Sequence, residues 1–247
     1  MTSTEDPVSR PPADFTLLRD ALAAGGAVVV PNPAPLTHVV TGTCSRAVNR
    51  AKGRDADQPV ALWAHHPGIL DTLDELWDLA PQHGALARRL LGEEHLTVLL
   101  PLRRGAEGPA WLAPARKDGW VLLFGARWQP LRPLLDEYPV LYVSSANRTG
   151  HPPAATAGEA LAMFPATVPV LDLPQPDAGL NGTARQATTT VRLHPDGRPE
   201  LHRHGAQDRN HGRADAYLRH LRARYAATTR QTASAHTCVE SEKDSGG

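Results

Sequence analysis

Two short polar stretches carry side chains whose types and spacing suit the binding of an anion. Lys52 and Arg54 stand two residues apart in AKGR, shortly before the apolar run PVALWA. Ser144, Ser145 and Asn147 lie in SSANRTGHPP, between the apolar run PVLYV and a helical pattern. Loops between a strand and a helix collect backbone N–H groups that can face a phosphate or a carboxylate, and an arginine can hold such a group through two hydrogen bonds. These five residues are therefore candidates for an anion-binding site.

A third stretch adds hydroxyls and another cation. Thr188 and Thr189 lie in ATTTVRLH, and Arg203 follows in HRHGA. Each stretch by itself also has a structural explanation, because small polar residues satisfy turns, cations complement helix ends and threonine is an ordinary strand residue. The functional interpretation therefore depends on the three stretches acting together.

Alternating strands and helices would position these stretches. Apolar runs predict strands in AVVV, PVALWA, LTVLLPL, WVLLF, PVLYVSS, VPVLDL and TTTVRLH. Helical spacing predicts helices in residues 14–26, 43–52, 66–92 (two helices, with breaks at Pro81 and Gly84) and 130–138, and after the capping pair Thr156 and Glu159. Prolines argue against regular structure between residues 31 and 42. The Asp-Gly in HPDGRPELHRH predicts a hairpin, so we expect a mixed sheet.

Composition narrows the class of protein. Lys plus Arg equals Asp plus Glu at 26 each in 247 residues, so no bulk charge steers the chain toward nucleic acid or membrane. Cys44 and Cys238 are too few and too far apart for a disulfide framework, and no run approaches the roughly 18 apolar residues of a membrane span. We therefore expect a cytoplasmic protein.

The same patterns predict the domain organisation. We expect a disordered leader over residues 1–13, one domain over 14–210, an Arg-rich helix over 211–227 and a disordered tail over 228–247. The Arg-rich helix suits either phosphate contacts with RNA or packing of its Tyr and Leu face on the domain. Strand spacing puts His202 and His204 on one face, but we expect no metal site there.

Three ordered motifs resemble the YrdC-like family, the threonylcarbamoyl-adenylate synthases. They are K-x-R before a strand, S-S-A-N-x-[ST]-G-x-P after a strand, and paired threonines followed by R-x-G-A, and the resemblance covers residues 15 to about 209. It implies an α/β fold, a single YrdC-like domain with a twisted mixed sheet and flanking helices around a deep positive cavity. It also implies a nucleotidyltransferase, in which threonine and bicarbonate give a carbamate that attacks the α-phosphorus of ATP. Threonylcarbamoyl-AMP and pyrophosphate result, and the product feeds tRNA modification.

The resemblance also implies roles for the candidate residues. Lys52 and Arg54 would be catalytic, since they would offset the repulsion between a carbamate and a triphosphate. The implied nucleotide-binding set is Ser144, Ser145, Asn147, Thr188, Thr189 and Arg203. Mg²⁺ is expected with ATP, held mainly by phosphate oxygens.

The acceptor side departs from the family pattern. Residues 31 to 38 read PNPAPLTH where the family has P-T-D-T-x-Y-G-L, so Asn32 and Leu36 replace a threonine and a tyrosine. EEHLT keeps Thr97 of the P-G-P-x-T loop and loses its Pro-Gly-Pro. Arg127 in FGARWQP lies near the R-x-P position without aligning with it. We assign Asn32, Leu36 and Thr97 to an altered acceptor pocket.

Three interpretations remain open. The chain forms a carbamoyl-adenylate on an amine other than threonine, or it is a threonine enzyme whose loops have drifted. In the third interpretation catalysis is lost, and the chain binds nucleotide or the double-stranded RNA with which the family's concave basic surface has been associated.

Overall fold

Two compact units make up the chain. The computed structural model describes residues 10–174 and 184–226. The first unit takes Met1–Gln58 and Leu141–Arg185, and the second takes Pro59–Val140 and Gln186–Gly247. Most of the expected leader and all of the expected tail at 228–247 lie outside the described residues.

Strands and helices alternate within the described ranges, as an α/β fold requires. The strands are β1 (Ala27–Val30), β2 (Val39–Gly42), β3 (Ala61–Trp63), β4 (Thr97–Pro101), β5 (Arg116–Lys117), β6 (Trp120–Phe124), β7 (Tyr142–Ser145), β8 (Thr190–Leu193) and β9 (Pro199–Arg203). The α-helices with both ends described are α1 (Phe15–Ala23), α2 (Ser45–Ala51), α3 (Pro67–Asp74), α4 (Pro81–Gly92), α5 (Arg132–Leu135) and α6 (Ala157–Met163).

The first unit builds an antiparallel arrangement in the order β1-β2-β7. Val39 of β2 pairs with Val30 of β1 on one side and with Ser145 of β7 on the other. The expectation of irregular structure up to residue 42 was wrong, because the prolines end at Pro35 and the β-branched residues that follow suit a buried strand. This pairing fixes where the SSAN stretch leaves the sheet.

The second unit builds a mixed arrangement in the order β3-β6-β4-β8-β9, with β5 beside β6. The pairs β3–β6 and β4–β8 are parallel, whereas β4–β6 and β8–β9 are antiparallel. The predicted hairpin at Asp196-Gly197 joins β8 to β9, and the prediction of a mixed sheet is confirmed. Fully buried leucines from β4, β6 and α4 form much of the core of this unit.

Two local predictions need correction, and a third is confirmed. Gly84 lies inside α4, where it packs against the Trp77 ring, and Pro81 begins that helix. VPVLDL contributes only isolated bridges, at Val170 and Leu171, in place of a strand. The Thr156 hydroxyl caps α6 by accepting from the Glu159 N–H at 3.1 Å.

The Arg-rich segment packs on its own unit. Residues 214–226 are helical, with Tyr217, Leu221 and Tyr225 buried. The Tyr225 hydroxyl lies 2.6 Å from Oε1 of Glu94, and Arg224 forms an ion pair with the same carboxylate at 3.1 Å. Of the two interpretations of this segment, these contacts fit the packing of its Tyr and Leu face on the protein. None of the helices in the described ranges is long and apolar enough to cross a membrane.

Gly125, directly after β6, tests this packing. A Cβ there would lie 2.3 Å from the backbone oxygen of Leu91, which cannot move without shifting α4. We expect Gly125→Ala to lower the free energy of unfolding by about 2 kcal/mol or more. Gly92→Ala is the matched control, because its Cβ would meet no atom within 4 Å. Urea denaturation followed by circular dichroism measures both, and equal midpoints for the two variants would contradict the described contact.

Candidate functional site

A buried lysine joins the two motifs of the first unit. Lys52 lies at the C-terminal end of α2 and is fully buried. Its ammonium donates one hydrogen bond to the backbone oxygen of Ser145 and another, 2.8 Å long, to Oδ1 of Asn147. The backbone oxygen of Lys52 accepts from the N–H and the hydroxyl of Thr149, at 3.0 and 3.2 Å. The K-x-R and S-S-A-N motifs therefore form one hydrogen-bonded cluster.

The amide of Asn147 is occupied at both ends within this cluster. Its Oδ1 also accepts from the Ser145 hydroxyl at 2.7 Å, and its Nδ2 donates to the backbone oxygens of Arg148 and His151 at 3.2 and 2.8 Å. A carboxamide offers two donor hydrogens and two acceptor lone pairs, so these four bonds use its capacity. A direct contact with a nucleotide would have to replace one of them. The geometry fits a side chain that holds Lys52 in position.

The remaining members of the cluster contribute a guanidinium and hydroxyls. Nη1 of Arg54 lies 3.5 Å from Oγ of Ser144, the long limit for a hydrogen bond. The Ser145 hydroxyl donates to Asn147, and its oxygen keeps lone pairs that can accept. The guanidinium of Arg54 and the hydroxyl of Ser144 are donors that suit phosphates and carboxylates, whereas the Ser145 hydroxyl has given its hydrogen to Asn147. The nucleotide-binding role of Ser144, Ser145 and Asn147 stays a prediction.

The loop at residues 31–38 turns its polar groups inward. Asn32 is buried, and its Nδ2 donates to the backbone oxygen of Thr37 at 2.9 Å. Leu36 is also buried, and Nη1 of Arg185 donates to the backbone oxygens of Asn32 and Leu36 at 3.2 and 2.8 Å. Sequence reasoning missed Arg185 because no motif marks it and about 150 residues separate it from the loop. The acceptor-pocket role of Asn32 and Leu36 stays a prediction.

A buried histidine that no motif singled out ends this loop. His38 is 3% exposed, and neither ring nitrogen makes a hydrogen bond of normal geometry among the described residues. Burial, followed by the charge of Arg185, lowers the pKa of His38 from 6.5 to about 4, against smaller opposing effects from Asp172, the nearby backbone of Ala154 and Glu159. The ring is therefore neutral at pH 7. It lines a cavity of about 490 Å³ together with Arg185 and Asp172.

The paired threonines of the second unit use their hydroxyls differently. The Thr189 hydroxyl donates to Oδ1 of Asp208 at 2.6 Å and accepts from the N–H groups of Gln207 and Asp208 at 3.1 and 3.2 Å. Its bonding capacity is filled within the protein. The Thr188 hydroxyl lies 2.6 Å from that of Thr97, and a pair of hydroxyls joined by one bond keeps one hydrogen for another acceptor. Of the two predicted nucleotide contacts, Thr188 is the better candidate.

A buried carboxylate supports the end of β9. Burial raises the pKa of Asp208, but hydrogen bonds from Thr189, His204 and Gly205 outweigh this effect and hold that pKa below its usual value. Nδ1 of His204 lies 2.5 Å from Oδ2 of Asp208, so this strand histidine has an acidic partner four residues away. Among the described residues no three His, Cys, Asp or Glu side chains group as a metal site would require.

Arg203 contacts the threonine segment. Its Nη2 donates to the backbone oxygen of Thr188 at 3.3 Å. The Arg203 side chain is exposed at the end of β9, and its guanidinium stays charged at neutral pH. Arg203, Thr97, Thr188 and Thr189 belong to the second unit and the cluster around Lys52 to the first. The expectation that Arg203, Thr188 and Thr189 serve the same nucleotide as the Lys52 cluster stays a prediction, and so does the acceptor-pocket role of Thr97.

A second buried histidine lies beside Arg127. His65 is 9% exposed, and burial, with smaller contributions from His66 and Arg127, lowers its pKa from 6.5 to about 4. Nη2 of Arg127 donates to the backbone oxygen of Ala64 at 2.9 Å. Both side chains follow the carboxyl ends of the parallel strands β3 and β6, where ligands commonly bind in α/β sheets.

Comparisons with known proteins give the family. A threonylcarbamoyl-AMP synthase of Thiobacillus denitrificans is 32% identical over 159 residues, which cover 60% of this chain and 72% of that protein. No family model matches the sequence. The chain belongs to the YrdC-like family, which includes the threonylcarbamoyl-AMP synthases.

Solved structures show the same fold at lower identity. P. abyssi Sua5, solved with L-threonine, has a TM-score of 0.57 and 18% identity, covering 76% of this chain and 53% of its own. E. coli YciO has a TM-score of 0.56 and 13% identity, covering 81% of this chain and 94% of its own. A phosphate- and nucleotide-bound HypF has a TM-score of 0.58 and 17% identity, covering 81% of this chain and 30% of its own. The chain thus spans about half the length of the Sua5 protein, and these likenesses show the fold.

The two buried histidines predict a pH dependence of stability. Because their folded-state pKa lies near 4 and the unfolded value near 6.5, the unfolded chain binds more protons between these pH values, and stability falls as the pH falls through that window. We expect each histidine to lower the free energy of unfolding by on the order of 1–2 kcal/mol when the pH falls from 7.5 to 5. His38→Leu and His65→Leu should each remove that share of the loss.

Denaturant unfolding at both pH values measures these differences. The exposed His202→Leu is the control and should keep the full pH dependence. A pH dependence unchanged in both buried-site variants would show that these rings are protonated or solvated in the folded protein.

Proposed function

We propose that the chain is an ATP-dependent enzyme that forms a carbamoyl-adenylate, similar to a threonylcarbamoyl-AMP synthase, on an amine other than threonine. The observation that carries the proposal is the fully buried ammonium of Lys52, bonded to Ser145 and Asn147 at the end of β7. Burying an ammonium costs several kcal/mol, so a lysine retained there needs a function or a strong set of bonds. Family membership supports the assignment of that function to ATP chemistry.

The proposed reaction proceeds in two steps. The amine nitrogen attacks the carbon of bicarbonate, and loss of water leaves a carbamate. A carbamate oxygen then attacks the α-phosphorus of ATP, and the bond to the β-phosphate oxygen breaks, releasing pyrophosphate. The second step brings two anions together, and like unit charges 4 Å apart repel by about 4 kcal/mol at a partly protected site. Lys52 and Arg54 would offset this repulsion.

The other residues would bind or position the nucleotide. The hydroxyl of Ser144 and the loop backbone would face phosphate, while Ser145 and Asn147 would keep the ammonium of Lys52 in place. In the second unit we assign phosphate binding to Arg203, with Thr188 as a hydroxyl contact.

Mg²⁺ would accompany ATP as its usual counter-ion. Since the described residues group no three acidic, histidine or cysteine side chains, the proposal assigns it no protein ligands. Phosphate oxygens and water would supply its coordination.

The acceptor is proposed from the altered loop. In the family that this chain resembles, the hydroxyls and the acid of the P-T-D-T-x-Y-G-L loop form the threonine pocket. This chain lacks those side chains. In their place Asn32 bonds to Thr37, and Leu36 is buried. A pocket that loses buried hydrogen-bond partners for threonine loses on the order of 1 kcal/mol or more for each.

Substitution of the buried lysine tests the catalytic assignment. We expect Lys52→Met to reduce ATP-dependent pyrophosphate release at least about 100-fold, because the neutralising charge is removed where the two anions meet. Lys117→Met is the matched control, since Lys117 is exposed on β5 and should keep its activity. The assay supplies ATP, Mg²⁺, bicarbonate and a panel of amines, with circular dichroism to confirm folding.

The same panel separates the interpretations. Release only with threonine would identify a threonine enzyme with drifted loops. Silence with every amine, together with nucleotide binding in a calorimetric titration, would leave a non-catalytic binding module. A salt-dependent mobility shift with duplex RNA would then identify its ligand.

A further inference from the structure

The cavity beside His38 lies within the first unit and has a polar floor. It holds about 490 Å³ and is lined by the His38 ring, Arg185, Asp172, Thr156 and an apolar edge at Leu173 and Pro174. Cavities of this size accept small-molecule ligands. Its lining does not include Lys52, Arg54, Ser145 or Asn147.

The ring of His38 is the unusual feature of this floor. A buried polar side chain normally has hydrogen-bond partners, and leaving it without them costs about 1–3 kcal/mol. His38 is only 3% exposed, and both ring nitrogens lack a partner of normal geometry in the described part of the chain. As a neutral imidazole it offers one N–H donor and one acceptor nitrogen. Both nitrogens are closed off from solvent, so a ligand in the cavity would satisfy them once the ring turns toward it.

Charged groups of both signs, Arg185 and Asp172, line the cavity. Arg185 has a larger electrostatic effect on His38 than either Asp172 or Glu159 has. Both carboxylates are exposed to solvent, which screens them, whereas Arg185 is half-buried and its pKa is lowered by that burial. A guanidinium and an imidazole N–H on one wall favour an oxyanion, and a carboxylate is the common form of that group in small amines.

The cavity lies close to the lysine cluster along the backbone. The backbone oxygen of His38 accepts from the Ala146 N–H at 3.0 Å, one residue after the carbonyl that Lys52 holds. The His38 N–H donates to Ala154, whose own N–H donates to Ala146 at 2.8 Å. Backbone hydrogen bonds therefore connect His38 to the loop that holds the ammonium of Lys52.

We propose that this cavity is the specificity site for the acceptor and binds a carboxylate remote from the reacting amine, which makes the acceptor an amino acid of the ω-amino type. The proposal rests on the proposed function. The carboxylate accepts from the His38 N–H and from Arg185, while the amine reaches the cluster around Lys52. Arg185, which also holds the carbonyls of Asn32 and Leu36, couples this site to the altered loop.

Paired amines that differ only in a carboxylate test the proposal. Pyrophosphate release is measured with 4-aminobutyrate against butylamine and with 6-aminohexanoate against hexylamine. We expect the KM of at least one carboxylated member to be about tenfold or more below that of its partner. Equal KM values within both pairs, in an enzyme that is active with ATP, would overturn the specificity site and leave the proposed function standing.

Variants of His38 identify the residue responsible. His38→Leu should raise the KM for the preferred amino acid about tenfold, with kcat nearly unchanged and no effect on the matched amine. His38→Gln, which keeps a donor, should recover part of the loss and guards against a folding defect of the leucine variant. The exposed His220→Leu is the control. A fall in kcat alone, or equal losses with both amines, would contradict a role in carboxylate binding.

Direct binding keeps the proposal testable if the reaction fails. In calorimetric titrations without ATP, 4-aminobutyrate or 6-aminohexanoate should bind the parent protein and bind His38→Leu about tenfold more weakly. If ATP neither binds nor is cleaved, the proposed function fails, while this titration still decides the carboxylate site. The absence of binding by both amino acids would overturn it.

Discussion

The ammonium of Lys52 has no contact with solvent and donates to a backbone carbonyl and an amide oxygen at the end of β7. A buried charge is tolerated only where hydrogen bonds offset its desolvation, so the position of this group constrains everything around it. The helix α2 must end at Lys52, and the loop must turn at Asn147 so that its amide oxygen faces the ammonium. Thr149 closes the arrangement from the other side by donating to the lysine backbone. The two motifs therefore depend on each other, because a substitution in either one would disturb the hydrogen bonds that hold the ammonium of Lys52.

The loop at residues 31–38, which we propose for the acceptor, is held by hydrogen bonds without a buried ammonium. In this loop, Asn32 donates to the backbone of Thr37, and Arg185 donates to the backbone of Asn32. The buried polar atoms of the loop that lack a partner among the described residues are Oδ1 of Asn32 and both ring nitrogens of His38. The fold is shared with P. abyssi Sua5 and E. coli YciO. Function has to be argued from these groups, because one fold hosts many sites.

Another departure from the family pattern has a structural cause. Glu93 and Glu94 replace a Pro-Gly pair, and the Glu94 carboxylate bonds to Tyr225 and pairs with Arg224. The Glu94 side chain is only 12% exposed, so these bonds are worth more than a surface ion pair. Glu94 thus anchors the C-terminal helical stretch.

The sequence by itself determined the α/β class, most strands and helices, the hairpin at Asp196-Gly197 and the membership of Lys52, Asn147 and Arg203 in recognisable motifs. These features depend on short-range periodicity, turn chemistry and residue order, which a single chain displays directly. Only the tertiary structure decided that Asn147 is saturated, that Thr189 serves Asp208, and that His38 and Arg185 line a cavity. Which hydrogen bonds a side chain makes leaves no pattern in the sequence, whether the partner is near, as for Asn147, or about 150 positions away, as for Arg185 and the loop, because the folded backbone sets their geometry.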